Sequence, residues 1–175
     1  MDQVVIGYGG ISYTLDELKG ICPKSYTIKE IESNSNLKSE LNRRKIQFSK
    51  FYNNTEVENF PCEIWKKLSG PKGFEQYSVS NWGRVKFSEE DKETILKQDD
   101  ENGKYGYLTV PNIPNLIANQ SICVYNIVAY AFLGKKIGDN LHVHHIDNNG
   151  YNCRPENMIL LTNEQHSYVH GFHIF

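Results

Sequence analysis

The spacing of apolar residues changes twice along the chain and divides it into three segments. Residues 1–60 repeat apolar positions every three or four residues, as helices do. In residues 61–110 the repeat falls to two, which is typical of strands. Residues 111–175 combine both periods. We therefore predict an α+β fold with a segment of short helices, a module of small antiparallel hairpins, and a C-terminal unit of two strands and a helix.

The first segment predicts three short helices. Thr14 caps the first, with Glu17 as its capping-box partner, and Pro23 ends it. A second helix begins near Ser25, and a third carries residues 43–45 ("RRK") on its outer side. Positions expected to face inward are Leu15, Leu18, Ile21, Ile28, Ile31, Leu37, Leu41 and Ile46. This arrangement is compatible with a helix-turn-helix DNA reader and equally with a plain helical cap.

The second segment predicts two hairpins. "EQYSVS" alternates, "NWGR" makes a turn at Trp82, and "VKFS" runs back. "ETILKQ" and "YGYLTV" form the second hairpin around the turn "DDENGK".

The third segment predicts a compact unit that gathers histidines. "QSICVYNIVAYAFLG" is a strand entering a short helix that ends at Gly134. "LHVHHI" is a strand, so His144 and His145 point to opposite sides. After the loop "DNNGYNCRPEN" and the strand "MILL", Thr162 and Gln165 form a second capping box. The helix that follows places His166 and His170, four apart, on one face.

Composition and charge give little information about the function of the chain. Net charge is −2, and basic residues occur in short runs, among them Lys66 with Lys67 and Lys135 with Lys136. Such runs are usually solvated faces, and a minority contact phosphate. The chain has no apolar run of the roughly 20 residues that cross a bilayer and no signal-peptide pattern, so we expect a cytoplasmic protein. The four cysteines, Cys22, Cys62, Cys123 and Cys153, lie singly and indicate reduced thiols.

One strand histidine above two helix histidines is the donor set of a metal site with open coordination positions. The adjacent histidine, facing away, is free to accept a proton. Each feature alone is often incidental, and a structural zinc would use similar ligands. Taken together, the spacing favours a hydrolytic metal site.

These residues resemble the HNH motif of the ββα-metal, or His-Me finger, endonucleases, and most closely the homing-endonuclease branch. The matching residues are Val143, His144, His145, Asp147, Asn149, Asn152, Asn157, Leu161, Thr162, Glu164, His166 and His170. Upstream, "EIWKKLSGPKGFEQYSVSNWGRVKF" is similar to the DNA-binding module that precedes many such domains. Its matching residues are Trp65, Tyr77, Val79, Ser80, Asn81, Gly83, Arg84 and Val85.

The resemblance implies roles for particular residues. His144, His166 and His170 would hold one divalent ion, magnesium or manganese in function, with zinc or nickel as alternatives. His145 would be the general base, and Asn157 would fix its orientation from the loop. The hairpin module would contact DNA through Tyr77, Asn81, Trp82, Arg84 and Lys86, although a turn tryptophan packed on the sheet is an equal alternative for Trp82.

The resemblance also implies a function. We expect a metal-dependent endonuclease of the homing or phage type that nicks or cuts double-stranded DNA. The alternative is a non-catalytic DNA-binding protein with a structural metal. One departure from the family pattern is "YN" at Tyr125 and Asn126, where a His-Arg pair is usual. If the assignment holds, the rings of His144 and His166 lie within reach of one ion, and the ring of His145 faces a groove.

Overall fold

The fold is known for most of the chain. A computed structural model describes residues 3–21, 28–100, 107–111, 113 and 122–171. No helix within these ranges combines the length and apolar character that a membrane span requires. Of the cysteines, Cys62, Cys123 and Cys153 are free thiols, and Cys22 lies outside the described residues. Helices and antiparallel strands are mixed, which confirms the predicted α+β class.

The chain begins with a hairpin rather than a helix. Strands β1 (Val4–Ile6) and β2 (Ser12–Thr14) pair antiparallel before helix α1 (Leu15–Ile21). The purely helical prediction for this segment is therefore wrong at its start, because strands of three residues are too short to reveal their period. The capping box is confirmed: Thr14 N–H donates to Glu17 Oε2 at 2.7 Å, and Glu17 N–H donates to Thr14 Oγ1 at 3.1 Å.

Two further helices follow, α2 (Ile28–Ser33) and α3 (Ser35–Tyr52). The predicted boundaries at Pro23 and Ser25 lie outside the described residues, as do the side chains of Ile28, Ile31 and Leu41. Two positions predicted to face inward are exposed, namely Ile21 (48%) and Ile46 (60%). Within residues 43–45, Arg44 is half-buried and donates to the carbonyl of Asn148 at 3.0 Å, so this run does not face outward as a whole.

A four-stranded antiparallel sheet forms the middle of the molecule. It contains β3 (Trp65–Lys67), β4 (Tyr77–Ser80), β5 (Val85–Glu89) and β6 (Lys92–Ile95) in that order. The hairpin β4–β5 is confirmed. All four residues of β4 are buried, and its apolar members belong to a cluster that also contains residues of α4 (Val124–Phe132) and Tyr52 of α3.

The second predicted hairpin is found only as one antiparallel bridge. β6 pairs with β5, whereas β7 (Thr109–Val110) pairs with β8 (Ile122–Cys123); a single bridge joins Asp99 to Thr109. Residues 93–95 pair with β5, the strand before them. Their apolar pattern alone does not specify whether they pair with the strand before or the strand after. Residues 101–106, in and after the predicted turn, lie outside the described residues.

The C-terminal unit has the predicted order. α4 ends at Phe132, and Gly134 adopts a positive φ of 73°. Strands β9 (His142–His145) and β10 (Met158–Leu161) pair antiparallel and lead into helix α5 (Asn163–Val169). One apolar cluster joins the sheet to α4. A second packs the N-terminal hairpin and α1 against this unit; its buried members are Val5, Leu15, Leu18, Ile159, Leu161 and Val169.

Candidate metal and catalytic site

Three imidazoles converge between β9 and α5. One ring nitrogen from each of His144, His166 and His170 lies within 4.8 Å of the others. Nδ1 of His144 is 3.2 Å from Nε2 of His170. Two nitrogen ligands bound tetrahedrally at about 2.0–2.1 Å from one ion stand roughly 3.3 Å apart, so this pair is already at ligand spacing. The donor set fits a divalent transition-metal ion.

Local sequence explains why these rings meet. Thr162 starts α5 through a capping box, accepting from Gln165 N–H at 3.3 Å and donating its own N–H to Gln165 Oε1 at 2.8 Å. The helix therefore begins at a defined residue, and one turn of helix brings His166 beside His170, with ring centroids 4.5 Å apart. The β9–β10 register sets His144 opposite the buried Ile159.

Burial keeps these rings neutral. Loss of solvent, with the neighbouring imidazoles adding to it, lowers the pKa of His144 to about 3. The same causes lower the pKa of His166 to about 4, and burial lowers that of His170. Only a neutral imidazole has a lone pair for a metal. Nε2 of His144 is buried and has no hydrogen-bond partner among the described residues.

A fourth histidine, His142, extends this cluster toward solvent. It is exposed and stacks on His166, with ring centroids 5.4 Å apart and planes at 22°. Because strand residues two apart share a face, His142 and His144 both face α5. A 610 Å³ cavity beside His142 is also lined by Thr162 and Glu164. His142 was not predicted from the sequence, although its position two residues before His144 in a strand indicates that the two side chains share a face.

His145 lies on the other face of β9, as predicted, but against aromatic rings instead of an open groove. Its side chain is 6% exposed, and the rings of Tyr107 and Tyr125 lie 5.8 and 5.4 Å from it. Burial lowers its pKa to about 4, although Asp147 opposes the shift. Nε2 of His145 is buried and has no hydrogen-bond partner among the described residues. Tyr125 is the position that departs from the family pattern.

Asn157 fastens the loop that follows His145. Its Oδ1 accepts from the backbone N–H of Asp147 at 3.1 Å, and its Nδ2 donates to Asp147 Oδ1 at 2.8 Å and to the carbonyl of Asn152 at 3.0 Å. Its own carbonyl accepts from Ile146 N–H at 2.7 Å. Both ends of the loop are thereby tied together two residues after the base candidate.

The five residues predicted to contact DNA are placed largely inside the fold. Arg84 is fully buried, Asn81 bonds the backbone at Cys62 and Ile64, and Tyr77 packs on Phe87. Lys86 is 9% exposed and pairs with Glu93 at 2.9 Å. DNA contact by these residues stays a prediction, and in this structure they support the sheet.

Trp82 is packed within the fold, but against α3 rather than on the sheet. Its ring lies 4.5 Å from that of Phe51 and 6.1 Å from that of Phe60. The guanidinium of Arg154 sits 4.0 Å from its ring centre. The turn of the hairpin thus contacts both α3 and the loop that leads into β10.

Two segments of the chain match known protein families. Residues 124–168 match the HNH endonuclease family, and residues 63–111 match the NUMOD4 motif. The chain is 37% identical over 109 residues to a protein of Acanthamoeba polyphaga mimivirus named an uncharacterized HNH endonuclease. That alignment covers 60% of this chain and 26% of the relative, so the chain spans about a quarter of that protein. No solved structure matches the chain significantly.

The resemblance predicted from sequence is thereby confirmed. Residues 124–168 are similar to the HNH endonuclease family, and they follow a segment that is similar to the NUMOD4 motif.

Proposed function

We propose that this chain is a metal-dependent DNA endonuclease of the homing or phage type, in which His144, His166 and His170 hold one divalent ion and His145 acts as general base. The observation that carries the proposal is the convergence of three neutral imidazoles within 4.8 Å, one of them directly preceding His145. Magnesium or manganese would serve in function, and zinc or nickel suits the nitrogen ligands.

The ion would neutralise negative charge that develops on the scissile phosphate. His145 would accept the proton of the attacking water at Nε2, the buried nitrogen for which no described residue supplies a hydrogen bond. Asn157 would keep the backbone next to His145 in place by holding Asp147, and Tyr125 would limit access of bulk water to the ring.

The substrate proposed is double-stranded DNA, in keeping with the HNH domain and the NUMOD4 motif. We propose three functional segments with the bounds predicted from the sequence. They are residues 1–60, which pack on the nuclease unit; residues 61–110, the hairpin module; and residues 111–175, the nuclease domain. The β1–β2 hairpin and α1 favour the helical-cap alternative for the first segment, because their apolar side chains pack against Ile159, Leu161 and Val169.

A plasmid assay tests the proposal. Supercoiled DNA incubated with the protein and manganese should be nicked or cut, and EDTA should abolish the reaction. His145→Gln should lower the rate by about 10²–10⁴-fold, the usual contribution of general acid–base catalysis. His142→Gln is the comparison variant, because it removes an imidazole from the same strand that stacks on His166 but is outside the proposed ligand set. Equal activity of His145→Gln and the parent, with both folded, contradicts the mechanism.

The burial of His145 favours a second candidate function, a non-catalytic DNA-binding protein with a structural metal. At 6% exposure the ring must be uncovered before it meets a water aligned with a phosphate. This candidate expects no cleavage with any ion, and a large fall in melting temperature on addition of EDTA. Cleavage that depends on His145 eliminates it.

A further inference from the structure

Two basic runs about 70 residues apart in sequence meet at one cavity. Lys67 ends strand β3, and Lys136 follows helix α4, yet both line a cavity of 310 Å³. One wall consists of the loop after β3, with Ser69 and Gly70; the other consists of the end of α4 and the loop after it, with Tyr130. The cavity therefore lies between the NUMOD4 motif and the HNH domain.

The lysines of the two runs differ in what they contact. Lys135 is tied internally, donating to Asp139 Oδ1 at 2.6 Å and to the carbonyl of Leu141, and Lys66 lies over the ring of Phe132 at 4.6 Å. Lys67 and Lys136 are exposed, and neither side chain forms an ion pair within the described part of the chain. These two ammonium groups therefore have charge available for a ligand.

Their backbones are fixed before any ligand arrives. Lys67 is paired with Ser78 in the sheet. The N–H of Lys136 donates to Asp139 Oδ2 at 2.7 Å, and the same carboxylate neutralises Lys135. No carboxylate is among the described residues that line the cavity. The cleft thus carries two exposed ammonium groups on fixed backbone positions, with apolar side chains in its walls.

We propose that this cleft, with Lys67 and Lys136 on its rim, grips the sugar-phosphate backbone of DNA outside the metal centre. Two phosphates would meet the ammonium groups, while Leu68, Tyr130 and Ile137 provide an apolar surface for deoxyribose. The inference rests on the proposed function for its choice of DNA as the polyanion. It joins the two matched units into one binding surface, so that the NUMOD4 motif positions the strand by its backbone.

Binding without cleavage tests the cleft. A fluorescent 30-base-pair duplex of arbitrary sequence is titrated with the full chain in EDTA, by anisotropy, at several salt concentrations. Each phosphate contact contributes about 0.9 to the slope of log Kd against log salt. Lys67→Ala/Lys136→Ala should therefore lower the slope by about 1.8 and weaken binding at low salt by at least tenfold.

Lys92→Ala/Lys97→Ala is the matched control, since it removes two exposed lysines at and beyond β6, the opposite edge of the same sheet. Its slope should lie within about 0.5 of the parent's. Equal slopes for the parent and the cleft variant, both with parental melting temperatures, overturn the inference, as does equal loss in the two double variants. The inference is also overturned if the cleft variant loses binding to polyglutamate while its binding to the duplex is unchanged. If binding depends on the cleft but no ion supports cleavage, the inference stands and the proposed function falls.

Discussion

The sequence predicts that Arg84 contacts DNA. In the structure, Arg84 is buried and forms a network of charge-assisted hydrogen bonds. Its guanidinium donates to Glu63 Oε1 at 2.9 Å and to Glu63 Oε2 at 2.5 Å. It also donates to the carbonyls of Glu56 and Glu58, at 2.6 and 2.8 Å. The perturbation is Arg84→Ala.

The expected cost follows from burial. The side chains of Arg84 and Glu63 are 1% and 0% exposed, so deletion of the arginine leaves an unpaired carboxylate without solvent. Breaking a buried pair in this way costs about 3–5 kcal/mol. Each kcal/mol lowers the melting temperature of a domain of this size by about 2–4 °C. A fall in melting temperature of about 6–20 °C is expected. The free-energy cost is a large share of the roughly 5–15 kcal/mol that stabilise a typical protein.

Urea denaturation followed by fluorescence measures this cost, and salt-dependent duplex binding measures any phosphate contact. Arg84→Lys is the comparison variant, because it keeps the charge but not the forked geometry, and it should lose less stability than the alanine. A stability loss below about 1 kcal/mol, together with a salt slope lowered by about 0.9, would identify Arg84 as a phosphate contact and refute the structural reading.

Three further predictions follow from named contacts. His166→Ala should weaken binding of cobalt or zinc by at least tenfold in calorimetry, because it removes one of three ligands, whereas the exposed His142→Ala should change it little. Thr162→Ala should cost about 1 kcal/mol by removing the cap of α5, and loosen the metal by disordering the first turn before His166, both measurable by metal-dependent melting. Burial alone would raise the pKa of Glu63, but its bonds to Arg84, Ser80 and Phe60 outweigh that effect and hold the pKa below its ordinary 4.5. Because the folded pKa is depressed, this stabilisation is present above pH 4.5 and is lost as the pH falls through the folded value, so the stability difference between the parent and Glu63→Gln should shrink on acidification.

The histidine cluster was predictable from sequence mainly because short-range rules specify it. A capping box fixes where α5 begins, and the helical period then brings His166 and His170 together. The strand period separates His144 from His145. Each of these inferences uses residues within a few positions of one another. The remaining step, which brings His144 over α5, is the pairing of β9 with β10, two strands that follow each other in the sequence.

The errors have two causes. The β1–β2 and β5–β6 hairpins are local, but their strands have only three to five residues and show too little of their period to specify the pairing. The burial of Arg84 depends instead on segments distant in sequence. Arg84 looks like a surface cation beside a turn, and only the fold brings Glu63, with the carbonyls of Glu56 and Glu58, around it. The cover of His145 by Tyr107 and Tyr125 is of the same kind, since the two rings come from separate segments.

The loop after His145 shows why the segments work as one structure. Arg44 of α3 donates to the carbonyl of Asn148, and Tyr52 at the end of the same helix stacks on Tyr151 at 6.2 Å. The hairpin turn approaches from the other side: a side chain at Gly83, where φ is 80°, would stand 3.1 Å from Cys153 Cβ. Asn157 closes the loop from within. The backbone next to His145 is therefore held by α3, the hairpin turn and the C-terminal unit together, so its position depends on segments outside the histidine cluster.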